Sequence, residues 1–109
     1  MPTRANIRVK TEENEFTLFT MFDGYPSKLL VDLLNYSRGT RDQFLKKLED
    51  NYEEINWAGD ADYNYLIDFN TKKIYTFDAS FNFKTKTGLL RIDNFGEMFW
   101  PDQVEFFDL

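Results

Sequence analysis

Between positions 49 and 62 lie Glu49, Asp50, Glu53, Glu54, Asp60 and Asp62, with no Lys or Arg among them. Carboxylates are the only chemically versatile groups this chain has in number, because it contains no His and no Cys. Their absence removes Ser-His-Asp and Cys-His nucleophilic sites, imidazole general bases, and the zinc sites built on Cys and His. A carboxylate-dependent hydrolase remains as a third reading. It needs two carboxylates flanking a substrate-sized cleft, which a small domain has little scaffold to build. Asp60-Ala61-Asp62-Tyr63-Asn64 opens like a calcium loop. The position that should be Gly is Tyr65, however, and the closing Glu is replaced by Thr71. The five glycines are scattered singly, so no phosphate-binding loop is present.

The acidic run has an ordinary reading as a solvated face and a functional reading as an anionic patch that meets a basic surface. On a helix, Glu49 and Glu53 would be neighbours, as would Asp50 and Glu54. Each such pair of like charges costs a few tenths of a kcal/mol. They would also sit near the helix C-terminus, where the dipole disfavours anions. Two local rules broken together mark these residues, with Asp60 and Asp62, as the candidate partner-binding set. The C-terminal Phe95, Met98, Phe99, Trp100, Val104, Phe106 and Phe107 form a second candidate surface, with core capping as its ordinary role.

The chain has 109 residues, the length of one domain. Hydrophobic residues make up 42% and aromatics 18%, too apolar for a disordered chain. It has no apolar run of membrane-spanning length, no signal-peptide pattern and no disulfide framework, so a cytoplasmic protein is expected. Residues 1–48 carry 8 Lys/Arg against 6 Asp/Glu, whereas residues 49–109 carry 5 against 13. The acidic half argues against direct binding of nucleic acid or an anionic membrane and points to a basic protein or ribonucleoprotein partner. No cofactor and no metal are expected.

The elements that must position these residues follow from periodicity. Residues 4–10 alternate with Ala5, Ile7 and Val9 on one face, and residues 15–22 form a second strand, apolar on both faces and so inside the sheet. At 23–26 the alternation stops. The Asp23-Gly24 pair supplies a position where φ > 0 costs little, expected at Gly24, and Pro26 suits the first turn of a helix. A helix over 26–37 presents Leu29, Leu30, Leu33 and Leu34 on one stripe and stops near Gly39. Thr40 and Gln43 form a capping box for a second helix, in which Phe44, Leu45, Leu48, Tyr52 and Ile55 recur. After a loop over 56–62, a hairpin pairs 63–69 with 74–78, and Ala79, Phe81 and Phe83 continue its odd-numbered face past a bend. A turn at 84–88 leads to a strand over 89–93, a break at 94–96 and a helical turn over 102–107. The expected fold is α+β, an antiparallel sheet of about five strands with a helical pair on one face.

Three segments occur in a recognisable order. Thr3-Arg4-Ala5-Asn6-Ile7 opens the chain, Phe22-Asp23-Gly24-Tyr25-Pro26 precedes the Leu-rich helix, and Tyr65-Leu66-Ile67-Asp68-Phe69 joins Ile74-Tyr75-Thr76-Phe77 across a polar turn. This order, over about residues 3–78, resembles a loose set of small bacterial and bacteriophage proteins with an Arg-Ala/Gly-Asn-Ile start and an Asp-Gly-Tyr-Pro corner. Such proteins often carry a His or Trp just before the corner, where this chain has Met21-Phe22. The set shares no catalytic residues, so none is carried over. The resemblance implies a mobile-element setting and, by analogy, a phage anti-defence (anti-CRISPR-like) role in the host cytoplasm. The expected function is therefore non-enzymatic inhibition of a host nucleic-acid-handling defence complex through the acidic surface. The alternative is a structural or assembly module using the aromatic C-terminal segment.

Overall fold

The computed structural model describes residues 3–96. It is an α+β fold: strands β1 (Ala5–Lys10), β2 (Glu15–Thr20), β3 (Glu53–Glu54), β4 (Tyr63–Asp68), β5 (Lys73–Asn82) and β6 (Thr87–Asn94), with helices α1 (Pro26–Tyr36) and α2 (Arg41–Asn51) between β2 and β3. The six strands make one sheet in the order β3-β2-β1-β4-β5-β6. All neighbours are antiparallel except β1 and β4, which run parallel with Ala5 opposite Tyr63 and Ile7 opposite Tyr65.

The helices cover one face. Leu29, Leu30, Leu33 and Leu34 of α1 and Phe44 and Leu48 of α2 join Ala5, Ile7, Val9, Leu18, Tyr65, Ile67 and Ile74 in a single buried cluster. Pro26 opens α1 as expected, and the capping box on α2 is formed: Thr40 N donates to Gln43 Oε1 at 2.9 Å and Gln43 N to Thr40 Oγ1 at 3.2 Å. Phe95 packs edge-on against Phe44 and Phe69, so at that position the aromatic C-terminal set belongs to the core. Met98, Phe99, Trp100, Val104, Phe106, Phe107 and the helical turn at 102–107 lie outside the described residues.

Three expectations are corrected. β2 ends at Thr20 rather than at position 22. The second helix does not run on to Ile55: α2 stops at Asn51, Tyr52 is extended, and Glu53 and Glu54 pair with Phe19 and Leu18 as β3. Ending the helix here avoids the like-charge pairs and removes Glu53 and Glu54 from its negative end, while Glu49 and Asp50 remain in its last turn. The backbone groups released pair instead along β2, and Ile55 N donates to Thr17 O at 3.0 Å. That extra strand sits beyond β2 and runs in the direction of β1, and residues 55–62 cross back over the sheet to enter β4 in the same direction, parallel to β1.

The third correction concerns the corner. The left-handed residue is Asp23, with φ 57°, not Gly24. Gly24 is required by close approach: a Cβ there would lie 2.8 Å from Ala5 Cβ and 2.9 Å from Thr3 O. Gly24 N donates to Thr3 O at 2.9 Å, and the buried Tyr65 hydroxyl donates to Gly24 O at 2.7 Å.

Gly24→Val should lower stability by about 1–3 kcal/mol through overpacking against β1, read as a fall in melting temperature. An unchanged midpoint would remove the close approach as the reason for glycine. Burial raises the Tyr65 hydroxyl pKa above the ordinary 10.0, so it stays protonated in the folded state where the unfolded chain would ionise. Its contribution to stability is therefore complete below pH 10 and falls as pH rises above it. Tyr65→Phe should flatten part of that alkaline loss while costing about 1 kcal/mol at neutral pH from the lost hydrogen bond. Urea titrations at neutral pH and at about pH 11 measure both effects.

Candidate functional site

The six carboxylates divide into two groups. Asp60 and Asp62 are occupied within the fold: Arg4 Nη1 lies 2.6 Å from Asp60 Oδ2, and Arg4 N donates to Asp62 Oδ2 at 3.0 Å. They steer the chain into β4. Glu49 and Asp50 stand exposed in the last turn of α2, where no basic residue accompanies them. Glu53 and Glu54 stand exposed on β3, at the edge of the sheet. Successive strand residues point to opposite faces, so Glu54 lies on the helix side with Leu18, and Glu53 on the other side with Phe19. Among the described residues, none of Glu49, Asp50, Glu53 and Glu54 takes part in an ion pair. They form an anionic rim around the end of α2 and the sheet edge rather than a stripe along one helix. Among the described residues, no group of three or more Asp or Glu is placed to hold a metal ion, and no helix is long and apolar enough to cross a membrane.

The rim borders an apolar feature that strand periodicity concealed. Met21 and Phe22, read as the end of β2, lie beyond it and are 54% and 65% exposed. Thr20 Oγ1 donates to Phe22 O at 2.8 Å and so helps to hold the turn. Phe22 shares a groove of about 310 Å³ with Asp23, Lys28, Asp32, Tyr36, Asn51 and Tyr52. That groove connects the corner to the end of α2, directly before β3. Lys28 is held there by Asp32, 3.0 Å away, and its pKa is raised chiefly by that hydrogen bond. Burial raises the Tyr52 hydroxyl pKa, with Tyr36 adding to it. The signal available in the sequence was the Asp23-Gly24 corner itself, which cannot continue a strand and so turns the preceding two side chains outward.

The loop over 55–62 lies across the sheet face opposite the helices, and a buried amide fixes it there. Asn6, fully buried, donates from Nδ2 to Ala58 O at 2.7 Å and to Asn64 Oδ1 at 3.0 Å, and accepts from Ala58 N at 3.1 Å. Asn64 Nδ2 in turn donates to Asp78 O at 3.2 Å, linking β4 to β5. Trp57 on this loop packs on Phe81 and Phe83, with ring centroids 4.8 and 5.7 Å away. The motif segments therefore meet for structural reasons. Thr3, Arg4 and Asn6 bind Gly24, Asp60 and Ala58, and Gly24 binds Tyr65.

Asn6→Ala should cost about 1–3 kcal/mol, because both polar groups of Ala58 and the Asn64 oxygen lose their partner in a buried setting. It should also shift Trp57 emission toward that of a solvated indole. A variant with parental stability and emission would show that the loop is held by Trp57 packing alone. Comparison with protein-family models, curated proteins and solved structures finds no match to this chain, so its function is argued from this geometry.

Proposed function

We propose that the chain is a binding protein without catalytic activity, which docks on a basic protein surface through Met21 and Phe22 with the α2–β3 carboxylates around them. The observation that carries this is that exposed Phe22, which Met21 precedes, shares a groove with Asn51 and Tyr52, the residues between Asp50 and Glu53, and that Glu49, Asp50, Glu53 and Glu54 have no ion-pair partner among the described residues. Protein interfaces combine an apolar centre, often aromatic or Met, with a polar rim, and rim charges select partners by complementarity and speed association. Lys- and Arg-lined channels of nucleic-acid-handling complexes present the complementary charge. Carboxylates spaced around an edge would stand in such a channel where phosphates stand. Inhibition of a host defence ribonucleoprotein, the anti-CRISPR-like role implied by the Arg4–Ile7 and Asp23–Pro26 resemblance, is the form of this function we favour.

Replacing Glu49, Asp50, Glu53 and Glu54 together by Gln should leave the melting temperature unchanged or slightly raised. Only Glu49 and Asp50 oppose the helix dipole, and they do so by a few tenths of a kcal/mol. The same variant should associate more slowly with the host complex, and the parent's affinity should fall with salt, since exposed charges are screened over about 8 Å at physiological ionic strength. Phe22→Ala should weaken binding by about 1 kcal/mol or more by speeding dissociation. The measurement is affinity for the host complex at low and high salt, with displacement of its nucleic acid as a second readout. If both variants bind and displace as the parent does, the rim is only a solvated face and Phe22 only a turn residue.

A further inference from the structure

The sheet face crossed by the 55–62 loop differs in chemistry from the α2–β3 rim. Strand alternation places Arg8 and Lys10 of β1, Leu66 and Asp68 of β4 and Tyr75 of β5 on it, with Asp68 opposite Lys10 and accepting from Asn70 N and Thr71 N. Past Asp78 the β5–β6 hairpin arches over this face, and Phe81, Phe83 and Lys84 form the far wall of an open groove of about 630 Å³ above Arg8, Lys10 and Leu66. The two rings are partly exposed, with centroids 5.0 Å apart. They are seated on Trp57 and Phe77, so they need no ordering to present their outer surfaces. Beside them Lys86 Nζ stands 4.3 Å over the Tyr75 ring. Of the groove's lining residues, Glu15 alone carries a carboxylate, and it bridges Arg8 at 2.5 Å and Lys10 at 4.0 Å.

We infer that this groove binds a single strand of nucleic acid. Such a ligand makes two demands together: cations for a phosphate at every step, and flat apolar surfaces for the bases. Arg8, Lys10 and Lys84 of the groove, with Lys86 further along the hairpin, answer the first, and Phe81 and Phe83 the second. The carboxylate of Glu15, held between Arg8 and Lys10, occupies the position of a phosphate oxygen and competes with it. An acidic peptide would satisfy the cations but leave the rings unused, and a duplex keeps its base faces stacked inside. The net charge of −6 belongs to the whole chain, whereas the groove's own lining carries three cations, Arg8, Lys10 and Lys84, against one carboxylate, Glu15. Glu49, Asp50, Glu53 and Glu54 lie at the α2–β3 edge, and over distances beyond about 8 Å their field is screened at physiological ionic strength. The inference uses different residues from the docking surface proposed above, of which Glu53 alone points to this face, from the far edge strand, so either can fail without the other.

The test is fluorescence anisotropy of labelled oligo(dT) and oligo(rU) of about 12 nucleotides with the full chain, at about 50 and 200 mM salt. A duplex of equal length and a polyglutamate peptide serve as competitors. Both single strands should bind and should weaken markedly between the two salts. Lys84→Glu with Lys86→Glu, two exposed hairpin positions whose exchange leaves the core untouched, should weaken binding by about tenfold or more. Phe83→Leu should cost about fivefold through lost stacking, and Glu15→Gln should tighten binding. Absence of single-strand binding at the lower salt overturns the inference. So does unchanged affinity in the double Lys variant, or competition by the duplex or polyglutamate as strong as that of an unlabelled single strand.

Discussion

One buried amide organises the two faces of this protein. Asn6 lies on the central strand β1, on the side that the helices do not cover, where an unpaired polar group would cost about 1–3 kcal/mol. It is satisfied by the backbone of Ala58 and by Asn64, so the connection from β3 to β4 has to pass directly over it. On the opposite side of the same strand, Ala5, Ile7 and Val9 enter the helical core. Around this point the corner closes as well. Gly24 comes close enough to β1 to bond Thr3, and it receives the Tyr65 hydroxyl from β4. Three distant stretches of chain thus share one junction, and the residue types there answer to packing and polar satisfaction rather than to chemistry on a ligand.

The charge distribution follows from this route. The helical hairpin ends with Glu49 and Asp50 in its last turn, and β3 carries the next two carboxylates away from the helix to the sheet edge. The crossing loop then delivers Asp60 and Asp62 to Arg4. The uncovered face gathers Arg8, Lys10 and Lys84 with Phe81 and Phe83, beside the carboxylates of Glu15 and Asp68. A single net charge therefore describes neither surface.

Much of the fold was legible because its signals are local. Alternation in β1, β4 and β5, the stripe of Leu29, Leu30, Leu33 and Leu34, and the Thr40–Gln43 box depend on neighbours within a few residues. The end of α2 was not legible. Tyr52 and Ile55 continue a helical spacing, and the competing attraction, an unpaired edge of β2, lies over thirty residues earlier in the chain. The parallel β1–β4 pair, between strands nearly sixty residues apart, was no more legible. Of the candidate site, the exposed carboxylates at 49, 50, 53 and 54 were legible as charge, though not as a rim shared between a helix end and an edge strand. Met21 and Phe22 were hidden by a strand pattern that an Asp23 in the left-handed region cuts short. The burial of Asn6 was not legible either, since nothing in its sequence neighbours shows that Ala58 covers it.

The parallel pairing of β1 with β4 has a further consequence. Residues 3–54 supply β1, β2, both helices and β3, whereas residues 63–94 supply the meander β4-β5-β6, so each half of the sheet is contiguous in sequence. The middle of the sheet is therefore a seam, closed only when the two halves dock across a long loop, and long-range closure of this kind is the slow step expected in folding. Gly59, whose surroundings are open, lies on the connecting segment beyond the Asn6 clamp. The molecule is built as two complementary fragments that happen to be joined, with the joint at its surface and the mating faces at its centre.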